Sequence, residues 1–310
     1  MIRKTCSLSR RQLLGSLAAL PLLPLSGVSW AKLAAEAISK PIPSSGEMLP
    51  VIGMGTWITF NIGSDANALA QRQQVLEAFF SAGGGMIDSS PMYGSAEDVL
   101  GRLLPRLPST DGLFSATKVW TRSGDDGPGE MEQSRRLWGL PRFDLLQIHN
   151  LLGWQAHLET LKEMKTNGQV RFIGVTTSHG RRHRELESIM ADEPIDFVQL
   201  TYNLADREAE QRLLPLAEER SMAVIANRPF QGGSLIDRAK RQPLPTWAAE
   251  ADCQNWSQLL LKFIVSHPAI TCAIPATSQV AHMRENMGAG QGRLPDPELR
   301  RRMAGLIDQL

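Results

Sequence analysis

Asp88, Tyr93, Lys118 and His149 are the residues of this chain whose types and order could do chemistry together. That chemistry is proton transfer and the stabilisation of negative charge. A carboxylate holds a neighbouring ammonium in place, and the ammonium favours the phenolate of a nearby phenol, whose free pKa is about 10. An imidazole adds a ring N–H that can point at a developing charge. Taken singly, each has a plainer reading: Asp88 as a turn or cap, Tyr93 as a packed loop aromatic, Lys118 as a solvated strand end, His149 as a satisfied core histidine. The cysteines offer no competing chemistry. Cys6, Cys253 and Cys272 match no metal-site spacing, and Cys272, within an apolar run, reads as an inert core residue rather than a disulfide partner of Cys253. No metal is expected.

The four residues become a set only if the fold gathers them. Short apolar runs recur at 51–56, 85–88, 113–119, 143–149, 170–176, 197–200, 223–226 and 270–275. Segments with helical spacing lie between them, at 68–81, 96–104, 154–166, 181–190, 207–220, 256–266 and 280–287, with a weaker one at 129–137 and a last one at 297–310. Strands alternating with helices predict an α/β fold with a covered parallel sheet. Eight such units fit a closed (β/α)8 TIM barrel, one domain over 50–310, better than a doubly wound sheet. In such a barrel functional residues sit at the C-terminal strand ends. Asp88 ends the second run, Lys118 lies in the third, His149 ends the fourth, and Tyr93 follows Asp88 by five residues. No G-x-G-x-x-G opens any unit, so a Rossmann dinucleotide site is not supported.

The first residues differ from the rest. Arg3, Lys4, Arg10 and Arg11 come without an acidic residue, and an apolar stretch over 13–28 follows, broken by Pro21 and Pro24. This predicts a signal peptide over 1–31, cleaved after Ala31, and not a spanning helix or stable membrane anchor. Ser9-Arg10-Arg11-Gln12-Leu13-Leu14 resembles a twin-arginine signal, which implies the twin-arginine export machinery as a partner and a periplasmic or otherwise exported location. Removing 1–31 takes away four basic residues and no acidic one, so the formal charge falls from +1 to −3. A balance this close to neutral argues against a nucleic-acid partner. Residues 32–49 read as a linker and barrel-closing N-terminal segment.

The stretch Gly85-Met-Ile-Asp-Ser-Ser-Pro-Met-Tyr-Gly-Ser-Ala-Glu-Asp-Val-Leu-Gly resembles the aldo/keto reductase signature, in which an aspartate precedes a tyrosine by five. Ser115-Ala-Thr-Lys118 and Asp144-Leu-Leu-Gln-Ile-His149 are similar to that family's lysine and histidine segments, in order. The resemblance runs from about Ile42 to Asn286. It implies an NADP(H)-dependent enzyme, with NAD(H) possible, that reduces aldehyde or ketone carbonyls of small molecules by hydride transfer. Tyr93 is then the proton donor, Lys118 lowers its pKa, Asp88 holds the ammonium, and His149 orients the substrate oxygen.

The resemblance also assigns the nicotinamide carboxamide to Thr176, Thr177 and Gln199, although Thr-Thr replaces the usual Ser-Asn pair. Asn227 stands where many members stack an aromatic ring, and Arg228 is placed to meet the pyrophosphate. Ala276, Thr277 and His282 fall at the 2′-phosphate site, the first and last where relatives carry cations. Glu285 and Asn286 align with adenine-reading residues. Trp57, Trp120 and Trp154, just beyond the first, third and fourth strand ends, are expected either to line an apolar pocket or to pack in the core. Helix-like 297–310 closes the sequence without the longer C-terminal loop of some members, an expectation of an open pocket. The competing expectation is an exported, non-catalytic nucleotide- or partner-binding barrel.

Overall fold

The computed structural model describes residues 37–307; the signal segment expected at 1–31 lies outside the described residues. Strands β1 (Ser39–Pro41) and β2 (Met48–Pro50) form an antiparallel hairpin. Then come β3 (Met54–Gly55), β4 (Met86–Asp88), β5 (Phe114–Val119), β6 (Phe143–Ile148), β7 (Val170–Thr176), β8 (Phe197–Thr201), β9 (Ala223–Asn227) and β10 (Ile270–Ala273). These eight pair in chain order, every pair parallel. The first and last members meet: Gly53 N–H donates to the Ala273 carbonyl at 2.9 Å, Ala273 N–H to Val51 at 2.9 Å, and Gly55 N–H to Pro275 at 3.1 Å. The result is a (β/α)8 barrel.

Alternation along the strands sorts the barrel interior into two levels. Successive side chains of a strand point to opposite faces, so the inward set of β4, β5, β6 and β8 reads Met86 then Asp88; Phe114, Ala116 then Lys118; Leu145 then Gln147; and Phe197 then Gln199. The first-reached residues, with Phe172, Ala223, Ile225 and Cys272, form one apolar cluster at the N-terminal end of the barrel. Ile42 and Leu49 belong to the same cluster, so the hairpin plugs that end. Toward the C-terminal ends the inward residues become polar. A dry lower layer therefore supports a polar upper one, which is where the chemistry-bearing residues stand.

Helices cover the outside. Ala66–Ser81 starts where the Asp65 carboxylate accepts from Ala68 N–H at 2.8 Å. The segment expected weakly at 129–137 forms a full helix, Gly127–Trp138, with Pro128 in its first turn and Gly139 at φ +67° ending it. The helix expected over 207–220 is split: a 3₁₀ turn at Glu208–Gln211 precedes Leu213–Glu219, with Arg212 out of helical geometry between them. Cys253 and Cys272 are both buried free thiols. Among the described residues no helix is long and apolar enough to cross a membrane.

Candidate active site

Lys118 and Asp88 come from neighbouring inward positions of β5 and β4. The Lys118 ammonium donates to Asp88 Oδ2 at 2.6 Å and to the Ser89 carbonyl at 2.8 Å, in full burial. Asp88 Oδ1 accepts the amides of Gln147 at 3.1 Å and Gln199 at 3.0 Å. Burial alone pulls the Lys118 pKa down, but the attraction of Asp88 overcomes it, so the ammonium is held charged with a raised pKa. The loop after β4 carries Tyr93 over this pair, with Lys118 Nζ 5.1 Å from the ring centre.

That loop is fixed at its far side. Gly94 has φ +64°, and a Cβ there would fall 2.4 Å from Asn61 Oδ1, which accepts the Ser95 N–H at 3.0 Å. The phenol departs from the expectation for a lysine neighbour. Burial raises the Tyr93 pKa and outweighs the lowering by Lys118, with Asp88 adding to the rise. Burial penalises a second anion beside Asp88, and Asp88 already offsets much of the charge of the ammonium.

His149, directly after β6, stands edge-to-face to Tyr93, with ring centres 5.8 Å apart at 88°. Burial, with Lys118 adding repulsion, drives its pKa down to about 3, so the imidazole is neutral. Its Nδ1 lies 2.8 Å from Ser90 Oγ, while Nε2 has no hydrogen-bond partner among the described residues and is open to the adjoining cavity.

The cavity has a volume of about 470 Å³ and collects Asp88, Tyr93 and His149 with most residues expected at a cofactor. Thr176, Thr177, Gln199, Asn227, Arg228, Ala276, Thr277, His282 and Asn286 all reach it, as does Trp57. Four expected residues do not line it, Lys118 among them, which is buried against Asp88. Trp154 donates its indole N–H to Glu185 at 3.0 Å and packs on the core, Trp120 is 45 % exposed away from the cavity wall, and Glu285 accepts from Ser257 Oγ at 3.5 Å. A strand-end position fixes where a Cα lies, not which way a large side chain turns.

The walls fit an extended polar ligand. Thr177 Oγ1 is buried without a partner among the described residues, whereas Thr176 Oγ1 accepts Asn150 N–H at 2.9 Å. Gln199 spends its NH₂ on Asp88 and keeps its carbonyl oxygen free. Asn227 is locked between strands: Thr201 Oγ1 donates to its Oδ1, and its NH₂ donates to the Thr177 carbonyl, both at 2.8 Å. Beside Gly232 and Gly233 there is open space where side chains would stand. The helix Val280–Gly288 begins at the same cavity with no acidic residue in its first turn, which suits an anion. Lys240, an exposed amine on the cavity wall, escaped the sequence reading because it lies outside any strand end. Gln147 was also missed, although strand alternation puts it on the face of His149.

The fold and the site thus define a (β/α)8 barrel whose mouth gathers Tyr93 and His149, beside the buried Lys118–Asp88 pair, on the wall of one cavity. The Aldo/keto reductase family model matches residues 51–304, and the chain belongs to that family. It is 28 % identical over 266 residues to a methylglyoxal reductase, YeaE, of Escherichia coli, covering 84 % of this chain and 92 % of that one. An NADH-specific methylglyoxal reductase of the same organism is 23 % identical, covering 87 % and 99 %. A Klebsiella pneumoniae aldo/keto reductase, solved with NADP and acetate, has 25 % identity and a TM-score of 0.70 over 84 % of this chain and 92 % of its own.

Proposed function

We propose that this protein reduces aldehyde or ketone carbonyls at the expense of NAD(P)H, with Tyr93 as the general acid. The observation that carries the reading is the placing of Tyr93 and His149 on one cavity wall beside the buried Lys118–Asp88 pair. A reduced nicotinamide bound in the groove supplies the hydride. The residues of the chain do the rest. Thr177 Oγ1 and the free carbonyl oxygen of Gln199 are the groups left to hold its carboxamide, and the start of the helix Val280–Gly288 is left for phosphate.

As the carbonyl oxygen gains negative charge, Tyr93 gives it a proton and His149 donates a hydrogen bond from Nε2. Burial keeps the phenol protonated, the state that reduction requires; the reverse oxidation needs the phenolate. Lys118 lies close enough to stabilise the phenolate left behind, and Asp88 keeps Lys118 charged and in place. NADP(H) is the favoured cofactor, with NAD(H) admitted; support comes from the NADP complex of the Klebsiella protein and the NADH-specific Escherichia relative. Cofactor consumption by the purified protein across aldehydes, ketones and dicarbonyls, methylglyoxal first, tests the reading. Tight cofactor binding with no turnover on any carbonyl would replace it with a non-catalytic binding barrel.

Export to the periplasm belongs to the same proposal. Its support is the segment Ser9-Arg10-Arg11-Gln12-Leu13-Leu14 ahead of the apolar stretch.

A further inference from the structure

Ser90 stands between Asp88 and Tyr93 in sequence, and the proton chemistry above makes no use of it. Its side chain is fully buried, and its Oγ has two neighbours. Met92 N–H donates to it at 3.2 Å, capping the 3₁₀ turn Pro91–Tyr93 that carries the tyrosine, and His149 Nδ1 lies 2.8 Å away.

A hydroxyl has one hydrogen to give and two lone pairs to accept with. Met92 occupies one lone pair. If Nδ1 carried the imidazole proton it would occupy the other, and the Ser90 hydrogen would be left buried with no acceptor, because among the described residues its Oγ has no other hydrogen-bond partner. If Ser90 instead donates to Nδ1, every group is satisfied. A neutral imidazole has a single ring hydrogen, which then sits on Nε2, the nitrogen open to the cavity.

We infer that Ser90 is a positioning residue that holds His149 as the Nε2–H tautomer, so that the imidazole meets the substrate oxygen as a donor. With the opposite tautomer, Nε2 would present a lone pair to an oxygen gaining negative charge, which repels rather than stabilises it. The same hydroxyl caps the turn before Tyr93, so one side chain sets the relation between the acid and the hydrogen-bond donor. The inference about the tautomer rests on the contacts of Ser90; its consequence for rate rests on the proposed carbonyl reduction.

The test is ¹⁵N NMR of the full-length protein labelled at histidine, with the His149 signals assigned by their loss in His149→Asn. At pH 7, Nδ1 should give the shift of an unprotonated ring nitrogen and Nε2 that of a protonated one. Ser90→Ala should move both shifts toward exchange-averaged values and lower kcat for carbonyl reduction by about tenfold, the order expected for losing one hydrogen bond. Ser90→Thr, which keeps the hydroxyl, should restore both. A protonated Nδ1 in the parent protein, or shifts unchanged in Ser90→Ala, would overturn the assignment whatever the activity. An Nε2–H tautomer in a protein that reduces no carbonyl would leave the tautomer assignment standing and remove the proposed reaction.

Discussion

Lys118 and Asp88 are bonded at 2.6 Å with both side chains almost wholly out of water. A buried pair broken from one side leaves an uncompensated charge, which costs about 3–5 kcal/mol, whereas replacing both members can be nearly neutral. Lys118→Met is therefore expected to lower stability by roughly that amount, and Lys118→Met with Asp88→Asn by less. Urea unfolding of the parent, the two single variants and the double variant measures the coupling. Additive losses would mean that the two charges do not stabilise each other.

The neutral state of His149 has a sign that unfolding experiments can read. Its pKa is about 3 in the folded chain against an ordinary value near 6.5. Between these two values the unfolded chain binds a proton that the native one refuses, so stability rises with pH through this window. The contribution is complete above about pH 6.5 and is lost on acidification toward 3, at a limit of about 1.4 kcal/mol per pH unit for one proton. His149→Asn should flatten the acid side of the stability profile between about pH 6 and 4. An unchanged slope would show that the imidazole titrates normally.

Ala276 and His282 stand on the cavity wall where related enzymes were expected to carry two cations, and Lys240 adds an amine to that wall. A hydrogen bond to a charged group contributes about 1.5–3 kcal/mol, so each one lost costs roughly tenfold or more in affinity. NADPH is expected to bind more tightly than NADH, by a margin of about one such interaction, and Lys240→Ala to narrow it. Fluorescence titration with both cofactors gives the ratio, Trp57 on the cavity wall serving as reporter. Tighter NADH binding by the parent protein would reverse the preference.

Replacing Arg10 and Arg11 together by Lys is expected to keep the protein in the cytoplasm while the activity of the barrel is unchanged. Fractionation of cells expressing both forms measures this. Equal periplasmic yield would count against the twin-arginine reading alone.

The barrel was legible because its strands are short apolar runs and its helices carry a 3.6-residue pattern, two signals that need no tertiary context. Residues 32–49 read as a linker and barrel-closing segment, but the hairpin within them was not legible: a Pro- and Ser-rich sequence carries no strand pattern, and only the open barrel end makes Ile42 and Leu49 core residues. The nearness of Asp88, Tyr93, Lys118 and His149 followed from strand ends, yet the protonation of Tyr93 did not, since it depends on burial competing with Lys118. Gln147 and Ser90 carried no distinctive motif of their own; an amide or a hydroxyl takes its meaning from the buried atoms it meets. The indoles of Trp120 and Trp154 turned elsewhere because rotamer choice follows packing that local sequence does not encode.

The most direct test of the account compares the parent protein with Tyr93→Phe in NADPH-dependent reduction of methylglyoxal, with cofactor affinity measured in parallel. Removing the phenolic oxygen leaves the ring, the Lys118–Asp88 pair and the groove in place. The account predicts equal cofactor affinity and a turnover lower by about 10²–10⁴-fold, the range for loss of a general acid. Near-parental turnover in Tyr93→Phe, from a protein that does reduce the carbonyl, would contradict it.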